Sequence, residues 1–102
     1  MDDDLVKEIS EIAKMLNDVG YETVILVEEM SELTKVMCKL QRKIMFPSYD
    51  KYKKDNVYEE MSHVIISLEI CKRLLDIDDN VLNETIRERL AIMKEYRDGI
   101  AP

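Results

Sequence analysis

Apolar residues recur along this chain at alternating three- and four-residue steps, with charged residues between them. That is the period of an α-helix with one face turned inward. Leu5, Ile9, Ile12 and Leu16 form the first stripe and predict a helix over about 4–16, which Asp4 can cap. Asn17-Asp18-Val19-Gly20 then reads as a stop and a turn. Leu26, Met30, Leu33, Met37, Leu40 and Ile44 predict a second helix over about 22–45, ending before Pro47. Val57, Met61, Val64, Leu68, Cys71 and Leu75 predict a third over about 56–75, closed by Asp76-Ile77-Asp78-Asp79. A fourth is expected over about 80–97, with Val81, Ile86, Leu90 and Met93 as core candidates, before Gly99 and Pro102 end the chain. No strand pattern intervenes. The expected fold class is all-α, with residues 1–102 forming a single four-helix bundle-like protomer.

The third helix is apolar almost all round, because Ile66 and Ile70 lie opposite Val57 and Leu68. A helix of that kind is buried on more than one side. A chain of 102 residues can bury only a small core, and small cores gain stability by oligomerising. Self-association as a homodimer or tetramer is therefore expected.

Composition narrows the function classes. Hydrophobic residues make up 46%, which excludes a disordered chain. The net charge of −7 argues against specific nucleic-acid binding, which draws on clustered Lys and Arg. Abundant carboxylates can still hold a polyphosphate if metal ions bridge the two. Cys38 and Cys71 both fall inside helical patterns with no CxxC spacing and read as reduced core thiols. Met1-Asp2-Asp3-Asp4 lacks the basic start of a signal peptide, and no apolar run approaches a membrane span. A cytoplasmic protein without membrane contact is expected.

Two short segments repeat. Glu28-Glu29-Met30-Ser31-Glu32 matches Glu59-Glu60-Met61-Ser62-His63 at four of five positions. At ~100° per residue, Glu29 projects between Val36 and Leu40, with Glu32 at the edge of that arc beside Ile25. Glu60 projects between Cys71 and Leu74, and His63 between Leu74 and Ile70. Four ionisable groups thus interrupt apolar surface, where a lone carboxylate is costly unless paired or metal-bound. Spacing of i, i+3 puts Glu29 with Glu32, and Glu60 with His63, on common faces. Two such faces placed antiparallel converge three carboxylates and an imidazole, a donor set suited to a divalent cation. Glu28 and Glu59 are read as solvated or as supporting the ligands from behind. The segment 46–54 between the second and third helices gathers Tyr49, Tyr52, Lys51, Lys53 and Lys54, and is either a solvated connector or a flap for a nucleotide.

With those residues in view, the chain resembles the MazG-like, all-α nucleoside triphosphate pyrophosphohydrolases, whose signature is EExxE followed, after a gap, by ExxD on the next long helix. Glu28-Glu29-Met30-Ser31-Glu32 is similar to the first element and Glu59-Glu60-Met61-Ser62-His63 to the second, with His63 standing where that family has Asp. The resemblance covers roughly residues 16–97. It implies an oligomeric helical bundle that cleaves a nucleoside triphosphate to the monophosphate and pyrophosphate. It also implies Mg²⁺ or Mn²⁺ held by Glu29, Glu32 and Glu60, with a nearby carboxylate orienting the attacking water. Imidazole at position 63 opens the site to Co²⁺ or Zn²⁺ as well. His63 is then a fourth ligand, a contact to substrate phosphate or water, the mark of a member that binds nucleotides without turning them over, or a structural residue near the core. Lys39, Arg42, Lys43 and Lys54 are the candidates for substrate phosphate, with Arg87 and Lys94 further afield. Two other readings compete. Glu60-Met61-Ser62-His63 is a literal ExxH, as di-iron carboxylate bundles use, although one chain supplies only one copy. A helical interaction module without catalysis needs only the apolar seams.

Overall fold

The computed structural model describes residues 1–99, in which four helices follow one another and no strand occurs: α1 (Asp3–Lys14), α2 (Val19–Met45), α3 (Lys54–Leu74) and α4 (Asp79–Gly99). Pro102, read above as a terminator, lies outside the described residues. Each start has a local cause. The Asp2 carboxylate accepts the Leu5 N–H at 3.0 Å, so Asp2 rather than Asp4 caps α1. The Asp18 carboxylate accepts the Tyr21 N–H at 2.9 Å and starts α2 at Val19. Gly20, expected in a turn, therefore sits in the first turn of a helix, because a strong cap two residues earlier outweighs one glycine. The Asp78 carboxylate accepts from both Asn80 and Val81 at the start of α4.

The end of α3 is a Schellman turn. Ile77 N–H donates to the Lys72 carbonyl at 3.0 Å, and Asp76 N–H to the Arg73 carbonyl at 3.2 Å. The turn needs a left-handed residue, and Asp76 supplies it with φ of 53°. Aspartate tolerates that region better than most residues, though less well than glycine.

Helix α3 is central, with α1 and α2 packed against it. Ile9 and Ala13 of α1 bury against Ile70 of α3, flanked by Leu16 and Leu74. Val36 is the buried residue of α2, and Cys71 of α3 is buried with its thiol donating to the Glu22 carbonyl of α2 at 3.4 Å. Burial and, secondarily, the charge of Glu22 push that thiol above its ordinary range, as befits a structural cysteine. Cys38, expected in the core, is exposed, because it falls off the face of α2 that meets α3.

Helix α4 packs against none of the other three along its length. Its expected core residues are on the surface: Ile86 is 45%, Leu90 57% and Met93 65% exposed, and Val81 is exposed too. The apolar stripe is present, but no other helix of the same chain packs against it. Ion pairs hold its first residue: Asp79 lies 2.8 Å from the Lys72 ammonium and 3.8 Å from the Arg73 guanidinium. Both cations also reach Glu69, a buried carboxylate of α3, at 3.0 Å each. No described helix is long and apolar enough to cross a membrane.

Candidate metal centre

Helices α2 and α3 run antiparallel across the short connection 46–53, which brings the two repeats side by side. Glu29 comes from α2, and Glu60 and His63 come from successive turns of α3. One ligand atom from each lies within 4.8 Å of the others. His63 Nδ1 stands 3.1 Å from Glu29 Oε2 and 3.6 Å from Glu60 Oε2. Two ligands set at right angles around an ion at ~2.1 Å are ~3 Å apart, so these spacings suit one shared cation.

Burial is graded across the group. The Glu60 side chain is 18% exposed, Glu29 27% and His63 46%. Glu60 Oε2 is itself buried and has no hydrogen-bond partner. With His63 Nδ1 at 3.6 Å as its nearest cationic group, that carboxylate oxygen has lost hydration without gaining a hydrogen bond, at a cost of about 1–3 kcal/mol. A hard cation is the partner that best offsets such a cost, and the imidazole offers it a nitrogen. The donor set therefore fits a divalent cation.

Glu32 stands apart from this group. Its carboxylate pairs with Lys35 one turn along α2 at 3.1 Å, with both side chains more than half exposed. Glu28 and Glu59 are exposed, as expected. Helix periodicity put Glu29 and Glu32 on one face, but the rotation of α2 about its axis decides which of them meets α3, and here it is Glu29. The expected phosphate ligands are dispersed. Lys39 is half-buried, Arg42 exposed, and Lys43 donates to the Pro47 carbonyl, while Lys54 is the exposed first residue of α3. Among the described residues, none of these four makes an ion pair or hydrogen bond with Glu29, Glu60 or His63. Tyr49 and Tyr52 of the connection are half-buried, and Lys51 and Lys53 are exposed.

Sequence reading missed the Glu69–Lys72–Arg73–Asp79 network. The signal was available, since Lys72 and Arg73 follow Glu69 at i+3 and i+4 on a helix whose other residues there are apolar. Hydrogen bonding to Asp79, aided by Glu69, pushes Lys72 above its ordinary range, and the Lys72 hydrogen bond holds the Asp79 carboxyl below its own. No family model, curated protein or solved structure matches the chain.

Proposed function

We propose that this chain is a metal-dependent nucleotide pyrophosphohydrolase of the MazG-like kind, converting a nucleoside triphosphate and water to the monophosphate and pyrophosphate. The observation that carries the reading is the meeting of Glu29, Glu60 and His63 across α2 and α3, with Glu60 Oε2 buried and without a hydrogen bond. The repeat that places them, Glu28 to Glu32 against Glu59 to His63, supports the family resemblance. Lewis acidity and a more acidic water are what a divalent cation supplies there when bound. Glu29 and Glu60 provide its charge balance, and His63 shifts the preference from Mg²⁺ towards Mn²⁺ or Co²⁺. Glu32 is within one turn of Glu29, and its exposed pair with Lys35 is worth only ~0–1 kcal/mol. That tie is weak enough for Glu32 to turn and join the ion or orient the water. Of the four basic candidates, Lys39 is nearest in sequence to Glu29 and Lys54 to Glu60, and these two are assigned to substrate phosphate. Assembly as a homodimer or tetramer and a cytoplasmic location complete the reading.

The test is a nucleotide panel incubated with Mg²⁺, Mn²⁺ and Co²⁺ while pyrophosphate release is followed. Turnover with at least one nucleotide is expected, faster with Mn²⁺ than with Mg²⁺, and abolished by Glu60→Gln. His63→Asp is expected to restore the Mg²⁺ rate. Absence of turnover with every nucleotide and metal, in the native chain and in His63→Asp, overturns the catalytic reading.

A further inference from the structure

The molecule exposes far more surface than its size requires, and many large apolar side chains are on it. Its accessible surface is 8283 Å², against about 6,000 Å² for a folded monomer of its mass. Its radius of gyration is 17.2 Å, against ~13 Å for a compact domain of this length. The excess, about 2,300 Å² per chain, lies in the range that obligate homodimers bury.

Two of the apolar surfaces match each other. One is a groove of about 540 Å³ between α1 and α3, floored by Leu5, Ile9, Ile12, Ile65 and Ile66. The other is the unpacked stripe of α4, Ile86, Leu90 and Met93. Leu5, Ile9 and Ile12 are spaced by four and then three residues, and so are Ile86, Leu90 and Met93. Equal alternation of this kind lets side chains of one helix enter the gaps of another. Charge matches as well. By helix arithmetic at ~100° per residue, Arg87, Arg89 and Lys94 flank the stripe, while Glu84, Glu88 and Glu95 lie on the far face. The outer rim of α1 beside the groove is acidic, with Asp4, Glu8 and Glu11.

We propose that α4 of a second copy of this chain seats in the groove between α1 and α3, reciprocally, so that two copies close each other's bundle about a twofold axis. The proposal deepens the assembly part of the reading above and is independent of its chemistry. Burial of the Ile86–Leu90–Met93 stripe supplies the drive, and the basic flanks of α4 against the acidic rim of α1 set the register.

The test uses sedimentation of the full-length chain, with a disulfide-trapping pair as the second measurement. The native chain is expected to sediment as a dimer or a higher even oligomer. Ile86→Asp with Leu90→Asp is expected to raise the dissociation constant at least ~100-fold while helicity by circular dichroism is retained, since α4 supports no packing within its own chain. Arg89→Glu with Lys94→Glu weakens association, and adding Glu8→Lys with Glu11→Lys restores it. In a Cys38→Ser background, Leu5→Cys with Met93→Cys is expected to give a covalent dimer on mild oxidation. A monomeric native chain, or a disulfide formed only within one chain by α4 folding back, overturns the proposal. So does an oligomer that the Ile86 and Leu90 substitutions leave intact. None of these outcomes depends on metal or nucleotide, so failure here is separable from failure of the catalytic reading.

Discussion

At the scale of single residues, Glu60 is the most informative position in the chain. Its buried oxygen makes no hydrogen bond and meets only the His63 imidazole at 3.6 Å, a setting that a shared cation would stabilise. Glu60→Gln is therefore expected to leave the metal-free chain as stable as the native one, or about 1 kcal/mol more stable, and to remove its stabilisation by Mn²⁺. At a free metal concentration of a hundred times the dissociation constant, that stabilisation is ~2.7 kcal/mol in the native chain. Thermal melts with and without Mn²⁺ check both halves, and an equal Mn²⁺ shift in Glu60→Gln counts against the site. Asp76 is the second informative residue, since its φ of 53° suits glycine better. Asp76→Gly is expected to stabilise the turn after α3 by about 0.5–1 kcal/mol, read as a raised melting temperature.

At the scale of helices, periodicity revealed the number and approximate extent of the elements, because each has a stripe long enough to show its period. It could not show how α2 is rotated against α3, so Glu29, inside the apolar arc, and Glu32, at its edge, were both expected at the site while only Glu29 reaches His63. Nor could it tell an apolar stripe buried within the chain from one left outside it, so the α4 residues Ile86, Leu90 and Met93 were expected in the core. The short core shared by α1 and α3 has an expected fragility. Ile70→Ala removes the residue between Ile9 and Ala13 and should cost about 2–4 kcal/mol, a large share of a small domain's stability, measured by urea unfolding. The tether of α4 carries a pH dependence. Asp79 titrates below its ordinary range, so its contribution is complete above the unfolded carboxylate value and fades as pH falls through the lower folded one. Lys72 titrates above its ordinary range, so its contribution is complete below the unfolded lysine value and fades as pH rises through the higher folded one. A carbon-detected NMR titration of Asp79 should give a midpoint below that of ordinary aspartate, moving back up in Lys72→Met.

At the scale of the whole molecule, the protomer is extended, with dimensions of 45 × 38 × 26 Å and a core of few buried apolar residues. If two copies close each other's bundle as proposed, the melting temperature is expected to fall by a few degrees for each tenfold dilution. A melting temperature independent of concentration would mean that the protomer stands alone. The proposed metal centre draws Glu29, Glu60 and His63 from one chain, so cation binding and assembly can be tested separately. The most direct measurement of the central claim exploits His63 as the sole histidine. Pulsed electron paramagnetic resonance of Mn²⁺ added to the untagged chain should show coupling to one imidazole nitrogen. That coupling should vanish in His63→Gln, and binding itself should weaken at least ~100-fold in Glu60→Gln. Mn²⁺ bound without nitrogen coupling, or bound equally well by Glu60→Gln, would place the cation elsewhere and contradict the account.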